Sequence, residues 1–407
     1  MEFHVVVVLL GVLVLGLGVT ADGLKRAWLT APLLAVVIGV VVGPEVTGLI
    51  ELEWLGEPRK VLKDLAELTL AVALTATALQ ISRSDLRENL RRVGALLLVG
   101  MAGMFAVTSL GAWLLLDLPF WGAVLVGAIL TPTDPVVAST LVTGSLAERC
   151  LPRWLRRSLQ MESGANDGLA IIFVLLPVVV VVEGVGAWAT EAVQEVGIGL
   201  AVGAATGPVA AWALRASRRW GGYGEEYVIA VGVGLALLNV AGAELLGGSG
   251  ILAAFVSALI FSEILHEEAA EALERMQGAV EKLFILPVFA LFGLVLPWDA
   301  WTGLGVGGLA FAAWAVLVRR PPAVTLALAL GTRTGRPGTA FLGWFGPLGV
   351  AAMYYVTFAE DYHPADYETV FAAATLAITA SIVAHSVTAT PWVRRYGRKP
   401  VSPPVAG

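Results

Sequence analysis

The residues best placed to do chemistry form one short run, Glu162-Ser163-Gly164-Ala165-Asn166-Asp167-Gly168. On a helix Ser163 and Asp167 are four apart and share a face, and Glu162 and Asn166 share the neighbouring one. The flanking sequence is apolar, so these carboxylates are expected to be desolvated. Desolvation raises a carboxylate's pKa and a nearby cation lowers it again, a balance that can set titration near physiological pH. Such a group holds a proton or a bare hard cation, but hardly both. Oxygen ligands from Asp167, Ser163, Thr133 and water suit sodium or lithium. Competition for the Asp167 carboxylate is sufficient for exchange.

Two segments are expected to interrupt the helices around this run. In Thr131-Pro132-Thr133-Asp134-Pro135, two prolines remove two backbone donors and disfavour helix before each. Unwinding there leaves two half-helices, with the Thr133 hydroxyl and Asp134 carboxylate among free carbonyls at mid-membrane. Irregular backbone at that depth survives only buried in protein or lining a cavity. The second segment is Gly343-Trp344-Phe345-Gly346-Pro347-Leu348-Gly349, where Gly346, Pro347 and Gly349 oppose helix. A plain proline kink without a ligand is the alternative for each. Arg319 and Arg320 lie inside the apolar stretch 301–330, and intramembrane charges mark functional sites by default.

Several roles stay open at this level. Glu162 either pairs with Arg320 or holds the Asn166 amide. Asp134 either joins the ion site or neutralises the half-helix N-termini. A pairing of Asp167 with Arg320 is the structural alternative to ion binding. Of the two arginines, one is expected to snorkel while the other faces the crossing. His4, His266 and His363 read as loop or helix-end residues and His385 as a packed helix histidine. Glu67 and Gln80 are candidates for an access path rather than for ligation.

The elements that must position these groups are membrane helices. The chain has 407 residues, of which 57% are hydrophobic and only 14% charged, too little charge to coat a soluble domain. Its mean hydropathy is +0.81. Apolar stretches of about 20 residues recur along the whole length. The expectation is an all-α polytopic membrane protein with about thirteen spanning helices. They are placed at 3–20, 27–48, 64–82, 92–116, 119–143, 155–183, 187–214, 225–243, 249–265, 279–297, 301–328, 338–358 and 367–391. The two interruptions then occupy the fifth and twelfth helices. Helices one to six and eight to thirteen read as two repeats of inverted topology, each broken in its fifth helix. Matched broken helices are the sequence pointer to a transporter's binding site. This gives one transmembrane domain over 1–391, with repeats at roughly 1–183 and 225–391, a linker helix at roughly 187–214, and a short cytoplasmic tail at 392–407.

Of the 26 lysines and arginines 21 fall in alternate loops and the tail, and the opposite side has only Arg59, Lys60 and Lys63. The bias puts the N-terminus outside and the C-terminus in the cytoplasm of a cell membrane. The acidic N-terminal start is unlike a cleaved signal peptide. A net charge of −6 without a basic domain argues against nucleic-acid partners. The lone Cys150 offers neither a disulfide nor a metal-ligand spacing. No Gly-x-x-x-x-Gly-Lys loop supports primary pumping, and no nucleophile–base set supports an enzyme. No cofactor is called for.

The run Glu162-Ser163-Gly164-Ala165-Asn166-Asp167-Gly168, preceded by Thr133-Asp134-Pro135, resembles the NhaP-like branch of the monovalent cation/proton antiporters. With Phe345-Gly346-Pro347-Leu348-Gly349-Val350 and Arg319-Arg320-Pro321-Pro322, it is particularly similar to the plasma-membrane sodium/proton antiporters of fungi. The resemblance implies the antiporter fold, with inverted six-helix repeats forming a dimerisation domain and a mobile core. It implies Asp167 as the shared cation and proton carrier, with Thr133 and Asp134 at the crossing and Ser163 helping to ligate. Glu162 and Asn166 support, and Arg320 is the family's buried arginine paired with an acid. An Asn166-Asp167 pair goes with electroneutral one-for-one exchange. The implied partners are sodium, lithium or potassium, protons, the lipid bilayer, and a second copy in a homodimer with elevator-like motion. The chain departs from many relatives at Phe345-Gly346-Pro347-Leu348, which lacks their arginine and any regulatory role it has. No long regulatory tail is expected after residue 391. A carrier or channel for another small solute on the same fold is the alternative. An anion carrier would want uncovered half-helix N-termini, and Asp134 and Asp167 place negative charge there.

Overall fold

Apolar segments in a bilayer must satisfy their backbone groups internally, which favours helices. The structure, a computed structural model, describes residues 30–134, 145–217, 225–265, 279–332 and 334–397, with Gly11 and Gly16. Among the described residues the secondary structure is helical, with no strand. In chain order the principal helices are α1 (Ala31–Val42), α2 (Pro58–Ala78), α3 (Arg83–Leu115), α4 (Phe120–Ile129) and α5 (Arg153–Leu169). There follow α6 (Ile171–Glu183), α7 (Val185–Ser217), α8 (Glu225–Leu245), α9 (Gly250–Leu265) and α10 (Leu286–Leu294). The last are α11 (Gly305–Leu317), α12 (Pro321–Gly331), α13 (Arg336–Trp344), α14 (Val350–Phe358) and α15 (Tyr367–Gly397).

Among the described residues five spans are long and apolar enough to cross a membrane: Arg83–Leu115, Arg153–Glu183, Val185–Ser217, Gly305–Leu330 and Tyr367–Gly397. The expected helix at 3–20 lies outside the described residues apart from Gly11 and Gly16. Other boundaries differ from expectation for local reasons. Helix α1 is shorter than 27–48, because Pro32 opens its first turn and the chain leaves helix at Gly43, before Pro44. Helix α2 begins at Pro58 rather than near 64. The stretch expected as one helix over 301–328 is divided, with Arg319 and Arg320 in the gap before Pro321 and Pro322. Those prolines cannot donate to a continuing helix.

Close helix packing is carried by small residues, as membrane interfaces require. Gly199, Gly203 and Gly207 recur every fourth residue on α7 against α9. A Cβ on them would lie 2.8 Å from the Ser249 carbonyl oxygen, 2.7 Å from that of Ala253 and 2.5 Å from that of Ser257. Large apolar side chains point outward instead, among them Leu98, Trp212, Leu245 and Val306. That arrangement suits hydrocarbon rather than water.

Charged side chains tie the helix ends together. At the start of α2, Arg59 donates to both oxygens of Glu368 (2.7 and 2.8 Å), and Lys63 donates to Asp361 (2.7 Å). At the other end of that helix Ser82 and Asp85 cap α3 reciprocally, and Arg153 at the start of α5 donates to both Asp85 oxygens (2.8 and 2.9 Å).

Candidate functional site: the crossing of two broken helices

Helix α4 ends at Ile129, and residues 130–134 are not helical. Residues 345–349 likewise separate α13 from α14. Pro132 and Pro347 supply no amide proton, and their neighbours find partners across the gap. Asp134 N–H donates to the Pro347 carbonyl at 2.8 Å, which joins the two unwound segments directly. The Asp134 carboxylate accepts from Val350 N–H at 2.7 Å, so it caps the N-terminus of α14. Pro135 lies outside the described residues.

The glycines of the second segment are there for space. A Cβ on Gly349 would run into the Asp134 carboxylate, and one on Gly346 would run into the Arg320 side chain. Helix α15 holds this segment from its other side. Ser381 Oγ accepts from Leu348 N–H at 2.9 Å, and His385 Nε2 donates to the Trp344 carbonyl at 3.0 Å. His385 is thus packed among fixed partners.

Helix α5 brings its polar face to the first segment. Thr133 N–H donates to Asn166 Oδ1 (3.2 Å), and Asn166 Nδ2 donates to Thr133 Oγ1 (2.8 Å). The amide therefore grips one threonine twice. The Thr133 hydroxyl also shares a hydrogen bond with Ser163 Oγ at 3.1 Å. One residue on from Asn166, Asp167 is fully buried, and neither carboxylate oxygen has a hydrogen-bond partner. Its main-chain carbonyl accepts from the Tyr355 hydroxyl at 2.5 Å. A buried carboxylate without a partner costs several kcal/mol. A fold that retains one needs a reason, and a bound proton or cation is the simplest.

Glu162 and Arg320 form a buried two-point pair of 2.7 and 2.6 Å, so the arginine is not the partner of Asp167. Arg320 Nε also donates to the Leu342 carbonyl at 2.8 Å. The expectation that one arginine snorkels is corrected, because Arg319 and Arg320 are each only 2% exposed. Both sit in the gap between α11 and α12, where the 3.6-residue period no longer separates neighbours onto opposite faces. Arg319 donates to the Leu130 carbonyl at 2.6 Å and also to that of Gly346, one on each unwound segment.

Glu67 accepts from the Tyr354 hydroxyl at 3.4 Å and lines a cavity of about 250 Å³ with Glu195, Glu244 and Tyr355. Tyr355, whose hydroxyl is bonded to the Asp167 carbonyl, is part of that lining. Gln80 accepts from Gln160 at 3.5 Å instead. Tyr355, Ser381 and His385 were not singled out as site residues from the sequence. The signal for the last two was their spacing of four on one face of α15.

A family profile described as "Sodium/hydrogen exchanger, transmembrane" matches residues 7–395. The chain belongs to this family. Within it, the chain is 28% identical over 344 residues to a probable Na(+)/H(+) antiporter of Schizosaccharomyces pombe, covering 81% of this chain and 45% of that protein. It is 27% identical over 345 residues to Na(+)/H(+) antiporter 2 of Zygosaccharomyces rouxii, covering 81% and 42%. It is 26% identical over 301 residues to the K(+)/H(+) antiporter NhaP2 of Shewanella oneidensis, covering 72% and 50%. The chain thus spans half or less of the length of these relatives. The structure of the sodium proton antiporter MjNhaP1 from Methanocaldococcus jannaschii superposes with a TM-score of 0.77 at 18% identity, covering 98% of this chain and 100% of that one. The chain therefore shares the fold of that antiporter.

Proposed function

We propose that this exchanger is a secondary active transporter that swaps sodium, lithium or potassium for protons across a cell membrane, one for one. The observation that carries this reading is the Asp167 carboxylate, fully buried and without a hydrogen-bond partner beside the crossing. Protonated, it is neutral and tolerable there; deprotonated, it needs a cation. Thr133 and Ser163 stand by as neutral oxygen ligands for that cation. Asn166 cannot ionise and holds Thr133 in place. Glu162 and Arg320 stay charged and cancel each other. Asp134 is occupied with the α14 N-terminus and acts as a fixed counter-charge.

In this reading residues at roughly 1–183 and 225–391 are the inverted repeats, α7 links them, and the working unit is a homodimer in the bilayer. The N-terminus is outside and the C-terminus cytoplasmic. Access alternates by elevator-like motion of the crossing and its supporting helices. The sodium/proton and potassium/proton antiport named for the relatives supports the cargo class. The test is dequenching of a pH dye inside proteoliposomes as each alkali chloride is added. Sodium or lithium should move protons and choline should not. Equal responses to sodium and choline would sink the assignment.

A further inference from the structure

Arg319 takes no part in the exchange just described, yet it is among the largest fully buried side chains of the protein. Its guanidinium stands where three helix breaks meet. Nη1 donates to the Leu130 carbonyl at 2.6 Å and reaches that of Pro132 at 3.5 Å, while Nη2 donates to the Gly346 carbonyl. These are carbonyls that a helix end leaves without an internal partner, and they carry the negative ends of α4 and α13. Glu162 is already held by Arg320 at both oxygens, and Asp134 serves Val350. The oxygens that accept from Arg319 are all main-chain ones. Main-chain carbonyls freed by unwound helices are also what coordinates alkali cations in transporters. The crossing therefore presents a cation-binding set of oxygens with a positive side chain already in it.

We propose that Arg319 is a tethered cation and a positioning residue for the exchange. It bolts the two unwound segments in register and occupies the carbonyl oxygens that would otherwise take an alkali ion. The mobile cation is thereby left to Asp167. The inference rests on the antiport reading only in assigning the cargo to Asp167.

The test uses melting temperatures of the purified full chain in choline, sodium and potassium chloride at equal ionic strength. A ligand that binds the folded state alone raises the melting temperature with its concentration. Wild type should be more stable in sodium than in choline, and Asp167→Asn should lose that difference. Adding Arg319→Gln to Asp167→Asn should restore an alkali-dependent rise of about 2–4 °C, because the vacated carbonyls now accept the ion. Adding Arg319→Lys should not restore it, since the ammonium still fills the place. A double variant with glutamine that is as indifferent to sodium and potassium as Asp167→Asn alone overturns the proposal. An equal sodium response in wild type and Asp167→Asn counts against Asp167 as the cargo site, and the comparison of double with single variant still judges Arg319. Should the glutamine variants fail to fold, transport by Arg319→Lys decides. Exchange with a half-saturating sodium concentration within about threefold of wild type, or about 0.7 kcal/mol, supports a tethered charge, and a folded lysine variant without exchange overturns it.

Discussion

Asp167 carries both cargoes in the proposed cycle because it is the buried acid of the site left without a protein partner. Asp167→Asn keeps the shape and removes the charge. Sodium-driven proton movement should vanish while the melting temperature in choline holds or rises. Transport within about threefold of wild type, a change of under about 1 kcal/mol, would move the carrier to another acid, with Asp134 the next to replace. Competition at one carboxylate also has a quantitative signature. Once the protonated form dominates, each unit fall in pH should raise the half-saturating sodium concentration about tenfold by mass action. Sodium titrations at stepped pH check this, and a flat dependence would put proton and cation on different groups. Arg320 is a different kind of residue. Removing one partner of a buried ion pair typically costs about 3–5 kcal/mol, because the other charge is stranded. Arg320→Ala should therefore lower thermal stability as well as transport. Replacing both Glu162 and Arg320 by uncharged side chains of similar size should cost less than Arg320→Ala alone.

At the scale of elements, the crossing depends on glycines that let side chains of facing elements pass closer than a Cβ allows. Gly349→Ala sets a methyl group against the Asp134 carboxylate and should break the Asp134–Val350 cap, with loss of transport and a lower melting temperature. Gly234→Ala is the control, since nothing lies within 4 Å of its would-be Cβ. As a helix-interior change it should be neutral or gain up to about 1 kcal/mol. The breaks at 130–134 and 345–349 were legible because proline and glycine act locally, through missing donors and steric clash. The break before Pro321-Pro322 carried the same signal, but it lay inside a long apolar run whose overall hydropathy suggested one helix. That both Arg319 and Arg320 turn inward, and not one of them, follows from that break, so it could not be read before the break was recognised. The pairing of Glu162 with Arg320 was legible as one of two alternatives, because a buried charge needs an opposite one. Of the Ser381 and His385 contacts only the shared face of α15 was legible, from the spacing of four, since their partners are main-chain atoms far away in the chain whose positions no side-chain pattern encodes.

For the whole molecule the question is how much charge crosses the membrane in one cycle. With Asp167 alternating between one proton and one monovalent cation, and Glu162, Arg320, Asp134 and Arg319 unchanged, the net charge moved is zero. The membrane potential acts at about 2.3 kcal/mol per charge per 100 mV, so an electroneutral cycle does not feel it. Clamping a potassium–valinomycin potential across proteoliposomes should leave the sodium-driven rate unchanged. A rate that varies steeply with potential would reveal a second titrating group.

The hydrogen bonds of the unwound segments have a consequence for how the protein breathes. By backbone shape, residues 130–134 and 345–349 are coil, the class of structure whose amides ordinarily trade deuterium fastest. Here the amides of Thr133, Asp134 and Leu348 are all bonded across the crossing, to Asn166, Pro347 and Ser381 respectively. Local opening of any one must break contacts to another helix or to the other unwound segment, so these coil amides should exchange with the slow helices around them and not with loops. Hydrogen–deuterium exchange would then draw the boundary of the unit that stays intact as access alternates, and the two non-helical segments would fall inside it.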